Sequence, residues 1–135
     1  MISSYNITSQ AILTDGLLAF TTDRILTGCT ATRDGATFQL NKPGYYYVTF
    51  NADGAATTAA GDVVVVLQSN GVAVPGAIAT FTVAAADDAV NLAFSTIIKV
   101  PPSCCAVDNA VSLTLVNTGV AATYTNVNIN ITKLC

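Results

Sequence analysis

The 135-residue chain contains no histidine, no tryptophan and no glutamate; all eight of its acids are aspartate. Without histidine it lacks the commonest general base, the commonest metal ligand and the usual switch near neutral pH. Without glutamate, and with few Lys, Arg and Gln, it lacks the straight-chain residues that favour helices. Five Lys+Arg against eight aspartates leave a net charge of −3. That balance excludes nucleic acid as a partner, because a nucleic-acid footprint is basic. Charged residues make up 10% of the chain and hydrophobic ones 52%. Average proteins carry ~25% charged residues. So little charge beside so much apolar surface excludes disorder. The first cation is Arg24, and no apolar run of signal-peptide length follows Met1. The expectation is therefore a chain outside the general secretory route, starting at its own Met1 and complete without a stalk.

Val, Thr, Asn and Gly fill the space that helix formers leave. Val and Thr are stiff at χ1 and suit strands, while Asn and Gly suit turns. Turn signals recur at Asp15-Gly16, Asp34-Gly35, Asp53-Gly54, Asn70-Gly71, Pro75-Gly76, Asp87-Asp88, Pro101-Pro102-Ser103, Asp108-Asn109 and Asn117-Thr118-Gly119. Between them the spacing predicts strands over 5–12, 17–22, 26–32, 36–40, 44–52, 62–69, 77–84, 89–100, 111–117 and 123–134. The alanine-rich stretches 55–60 and 83–86 read as loops. The length fits one domain, 1–135. Short strands with a turn every ten or so residues describe a β-sandwich or barrel.

No charge occurs between Asp62 and Asp87, an interval long enough to span a bilayer. Gln68-Ser69-Asn70-Gly71 and Pro75-Gly76 break it into strand-length pieces, so no membrane insertion is expected. Several strands are apolar on both faces. Tyr45–Phe50 alternates Tyr, Tyr, Thr with Tyr, Val, Phe, and Val63–Leu67 has no polar face. A sandwich strand ordinarily keeps one face in water. A second apolar face needs a cover, and in so small a chain another subunit supplies it. Periodicity thus implies an oligomer without giving its number.

Phe38-Gln39-Leu40-Asn41-Lys42-Pro43 followed by Gly44-Tyr45-Tyr46-Tyr47-Val48-Thr49-Phe50 resembles the entry into the third main strand of the tumour-necrosis-factor and complement-globular-head jelly rolls. Within that family the chain is most similar to the C-terminal domains of bacterial collagen-like spore-surface glycoproteins. Val66–Ala77 resembles the hairpin after the fourth strand. Ser95–Pro101 with Val111–Asn117 resembles the next strand pair, and Asn128–Leu134 the closing strand. The resemblance runs from Ala36 to the C-terminus. It implies an all-β, ten-stranded jelly-roll sandwich that assembles as a homotrimer about a threefold axis. By position, Tyr46, Val48 and Phe50 would point into the sandwich, and Tyr45, Tyr47 and Thr49 toward the axis. Val127, Ile129 and Ile131 would be core, with Asn128 and Asn130 facing neighbours. The chain departs from the spore-surface pattern in having no Gly-X-Y segment.

The candidate sites are few. Cys29, Cys104, Cys105 and Cys135 lack the paired spacing of a zinc site, and no histidine is present to activate a nucleophile. Disulfides within or between chains, through Cys135 or the Cys104-Cys105 loop, stand beside free thiols as the alternatives. Asp87-Asp88, with Asp53 or Asp62, is the best arrangement for calcium, yet Asp beside turn residues reads first as turn chemistry. No metal and no cofactor are expected. No carboxylate pair sits in the apolar surroundings that a glycosidase acid requires. Asn6-Ile7-Thr8 and Asn130-Ile131-Thr132 match glycosylation acceptors by chance composition. The Tyr45-Tyr46-Tyr47 run reads as packing before it reads as a sugar platform.

The expected function is a non-enzymatic structural trimer on a particle surface, first a bacteriophage capsid decoration or head-fibre protein at the virion surface. The alternatives are a spore-surface (exosporium) trimeric domain and a secreted lectin-like or cytokine-like ligand-binding domain.

Overall fold

A computed structural model describes residues 1–28, 30–57, 60–102 and 110–134. Its strands, in chain order, are β1 (Ile2–Asn6), β2 (Gln10–Ile12), β3 (Gly16–Leu17), β4 (Thr22–Leu26), β5 (Ala31–Asp34) and β6 (Thr37–Leu40). The longer ones follow: β7 (Gly44–Ala56), β8 (Gly61–Ser69), β9 (Val72–Val83), β10 (Ala89–Val100), β11 (Val111–Asn117) and β12 (Ala122–Lys133). They form two antiparallel sheets of six strands each. The first runs β10-β7-β12-β1-β4, with β2 added on β12. The second runs β5-β6-β11-β8-β9, with β3 added on β11. No helix among the described residues is long and apolar enough to cross a membrane.

The core lies between the sheets and follows the period-two pattern of the long strands. Tyr46, Val48, Phe50 and Ala52 of β7 point inward, with Val127, Ile129 and Ile131 of β12 beside them. Val63, Val65 and Leu67 of β8 and Val111, Leu113 and Leu115 of β11 meet them from the second sheet. Phe20 and Phe38 pack edge to face with ring centroids 5.2 Å apart.

The chain departs from the sequence expectation mainly before residue 35. One strand over 5–12 is in fact two, because the Asn6 side chain accepts from the Thr8 amide at 3.0 Å and turns the chain. The strand expected over 17–22 is mostly a crossing between sheets. There the Gln10 amide group does the work of a neighbouring strand: its Oε1 accepts from Ala19 N at 2.8 Å and its Nε2 donates to Ala19 O at 3.0 Å. Leu18, whose amide donates to Leu115 O at 2.9 Å, and Phe20 are thereby sunk into the core on either side of Ala19. Of the strand expected over 26–32, Leu26 ends β4 and Ala31 and Thr32 open β5. The described residues hold twelve strands where ten were expected.

Two expected turns are strand interior. Asp53-Gly54 lies within β7, where the Tyr124 ring presses on the backbone. A Cβ at Gly54 would stand 3.2 Å from Tyr124 Cδ1, so glycine serves close packing here. Pro75-Gly76 lies within β9, at the edge of its sheet, where proline leaves no ladder bond unmade. The pairing with β8 shifts there, and Gly76 has φ 82°. Asn70-Gly71 is a true hairpin turn, with φ 51° and 81° as the primed turn requires. Ala55 and Ala56, expected in a loop, extend β7.

The two flanks of the sandwich differ. On one, β4 and β5 are bound by an ion pair that joins the sheets. Arg33 Nε donates to Asp23 Oδ1 at 2.6 Å and its NH2 to Oδ2 at 2.8 Å, while Ser4 Oγ donates to the same carboxylate at 2.5 Å. The Arg33 hydrogen bonds hold Asp23 below the usual carboxylate range, against the opposing effect of burial. On the other flank, β9 and β10 meet with no ion pair among the described residues. Phe81 there pairs in register with the buried Val63 and yet stays 49% exposed.

Candidate functional site

The outer face of the first sheet collects the residues singled out from sequence. Alternation on β7 turns Tyr45, Tyr47 and Thr49 outward while Tyr46, Val48 and Phe50 point inward. Register then builds rows across the sheet. Ile97, Tyr47 and Thr132 form one row, and Ser95, Thr49, Asn130 and Ser3 the next. Ala93, Asn51, Asn128 and Tyr5 form the third. At one end of the face the rows are apolar: Tyr45 is 45% exposed, Tyr47 41% and Ile97 56%. Lys99 pairs with Tyr45 and is exposed with it.

Toward the other end the face turns to amides and hydroxyls. Asn130 Nδ2 donates to Thr49 Oγ1 at 3.3 Å. Asn128 Oδ1 is buried and accepts no hydrogen bond. A buried acceptor without a donor is uncommon and calls for one from elsewhere. A shallow depression of about 360 Å³ opens between Thr49, Asn51, Ala93, Ser95 and Asn128. Beyond it Asp53 accepts from Asn91 at 2.9 Å and from Asn126 at 3.2 Å. These two bonds, Asn91 first, hold the Asp53 carboxyl below the usual range.

The five residues expected at a packing face, Tyr45, Tyr47, Thr49, Asn128 and Asn130, therefore share one surface. Ile97 belongs to the same surface through its register with Tyr47 and was not singled out in the sequence. Asp53 was read as a turn residue and is instead the acceptor that ties β10 to β12.

Neither the models of protein families nor the curated proteins give a match to this sequence. Solved structures do. Murine APRIL at pH 5.0 superposes with a TM-score of 0.60 at 10% identity, over 98% of this chain and 98% of that one. The globular domain of zebrafish complement 1qA protein gives 0.60 at 10% identity, over 95% and 92%. The PRD1 vertex protein P5 gives 0.51 at 19% identity, over 99% and 96%. The chain folds as a tumour-necrosis-factor-like jelly roll.

In this jelly roll the remaining sequence candidates, Asp53 and the Asn130 tripeptide apart, lie away from the tyrosine face or outside the described residues. Cys29, Cys104, Cys105 and Cys135 all fall outside them. Asp87 takes φ 66° in a turn, and Asp88 Oδ2 accepts from Ala85 N at 3.1 Å, as turn chemistry demands. Asp53 and Asp62 sit in different sheets, the latter accepting from Thr82 Oγ1 at 2.6 Å. Among the described residues no three acids or cysteines converge as a metal site would need. Asn6 of the first glycosylation tripeptide is buried, with Nδ2 donating to Ala19 O at 3.3 Å.

One buried polar cluster went unread in the sequence. Asn117 Nδ2 donates to the carbonyls of Val120 and Ile12 at 3.0 and 3.1 Å, and Asn117 Oδ1 accepts from Tyr124 OH at 2.9 Å. It fastens the loop after β2 and the loop after β11 to β12. Burial pushes the Tyr124 phenol far above its usual range, so it remains a donor.

Proposed function

We propose that the chain is a non-enzymatic homotrimer that packs through the outer face of its first sheet and is displayed on a particle surface, that of a virion. The supporting observation is the aligned apolar end of that face. Tyr45, Tyr47 and Ile97 stand half-exposed on adjacent strands, and large exposed apolar residues grouped in this way mark interaction surfaces. The unpartnered Asn128 Oδ1 on the same face supports the reading, since a neighbour could supply the missing donor. In such a trimer Tyr45, Tyr47, Thr49, Asn128 and Asn130 lie between subunits.

The virion setting draws on the likeness to the PRD1 vertex protein, at 19% identity against 10% for the other two structures. The likeness to murine APRIL and to a complement globular domain favours a second reading, an extracellular ligand-binding domain. None of the three structures is a spore-surface domain.

Light scattering on the purified chain with and without reductant tests the trimer. Three times the chain mass in both conditions is expected, and a monomer at micromolar concentration overturns it. Sedimentation with capsids purified from the same source tests the setting. Trimer in the pellet supports the virion, and trimer left wholly in the supernatant removes it.

A further inference from the structure

A second pocket, of about 400 Å³, opens on the β1–β4 side of the same sheet, away from the tyrosines. Two interruptions of the strand ladder build it. On β4, Ile25 pairs with Ser3 and Asp23 with Ser4, so Arg24 has no partner on β1. On β12, Thr125 pairs with Asp53 and Asn128 with Asn51, so Asn126 and Val127 together oppose a single residue of β7. Asn126 takes φ 51° in that bulge. Bulges re-aim side chains and gather near functional sites. Here two of them face one another across Tyr5 and Asn128, which are themselves paired.

The groups they present are complementary in kind. The Arg24 guanidinium lies over the Tyr5 ring, with its central carbon 5.0 Å from the centroid. Stacking occupies its flat face and leaves its N–H edge free for a planar anion. Among the described residues Arg24 has no carboxylate partner. Asn128 offers a buried, unbonded acceptor, and Asn126, one amide hydrogen of which goes to Asp53, stands beside it. The exposed Ile7 side chain supplies an apolar wall, while Val127 lines the floor with its side chain turned into the core. A fork for a carboxylate, amides for hydroxyls and an aliphatic wall for C–H groups match a carboxylated pyranose. Bare carboxylate would use only the arginine, and a neutral sugar would leave it idle.

We propose that this pocket binds a carboxylate-bearing sugar, with Arg24 holding the carboxylate and Asn126 and Asn128 the ring hydroxyls. The pocket is built from one chain, so the proposal does not rest on the trimer; Asn128 is the residue it shares with the proposed packing face. The test titrates the full chain, followed by amide NMR shifts, with the methyl glycosides of glucuronic and N-acetylneuraminic acid. Methyl glucoside and acetate serve as partial ligands. At least one acidic glycoside should move the Tyr5, Asn126 and Asn128 signals. It should bind roughly tenfold more tightly than either partial ligand. Arg24→Gln should weaken it roughly tenfold, and Lys42→Gln, which removes a distant charge, should leave it unchanged. Acetate or glucoside binding equally well, no effect of Arg24→Gln, or no binding of either acidic glycoside each overturns the proposal. Light scattering on the same samples keeps the readings apart: sugar binding by a monomer sinks the trimer and leaves the pocket standing.

Discussion

The two sheets have outer faces of similar apolar make-up, and they finish them differently. On the second sheet Leu17, Val116, Val66 and Ile78 line up across β3, β11, β8 and β9. The two central valines lie outside the main core, yet they are only 5% and 6% exposed. The chain covers them itself. On the first sheet the matching apolar row is left open, and the residues beside it are amides and hydroxyls. The second sheet hides the two valines at the centre of its row and leaves Leu17 and Ile78, 44% and 47% exposed, at its ends, whereas the first sheet leaves its tyrosines uncovered beside an unsatisfied asparagine. An apolar pattern on both sides of a strand is therefore a weaker sign of assembly than the sequence of β8 suggests. The stronger sign is the pairing of bulky exposed side chains with a polar atom that lacks its bond.

The largest effect should come from placing a charge on the self-covered face. Val66→Asp buries an unpaired carboxylate and should cost about 3 kcal/mol or more, read as a lower urea midpoint. The same substitution on the open face should act on assembly. Tyr47→Asp is expected to give a folded monomer, with the strand circular dichroism retained and the trimer mass lost in light scattering. If Tyr47→Asp unfolds the chain as Val66→Asp does, the contrast between the faces is void. Val116→Ala should cost about 1 kcal/mol in urea denaturation, the usual size for trimming a buried side chain that neighbours can partly follow. The smallest effect concerns Asp53. Its folded pKa lies below the unfolded value of 3.8, so its contribution is present above that pH and fades as pH falls through the folded pKa. The stability gap between the parent chain and Asp53→Asn should therefore be steady from neutral pH down to about 4 and narrow below it. A gap that widens on acidification would contradict this assignment.

Much of the fold was legible where alternation is long. β7 and β12 follow their inward and outward residues as read, because period two persists over many residues and only one register buries the apolar set. The first 35 residues were poorly legible for a physical reason. At Thr8 and Ala19 the backbone is satisfied by the side chains of Asn6 and Gln10 instead of by strand neighbours, and no periodicity announces that. Asp53-Gly54 misled because turn preference was weighed without the Tyr124 ring that requires the glycine. The tyrosines and asparagines of the open face could be placed from alternation and family resemblance. Arg24 could not, because its direction is set by a skipped pairing between β1 and β4 that appears only once the strands are aligned.

The bidentate contact of Arg33 with Asp23 gives the sandwich a locked flank, and the exposed Phe81 marks the opposite one as unlatched. A body with one sealed margin and one loose margin has a direction. If copies of it meet through unlike surfaces, the contacts either close into a ring or run on as a filament. The guanidinium lock thus fixes one margin within the single chain, before any second copy is met, and leaves only the other margin with a large apolar ring for a neighbour to bury.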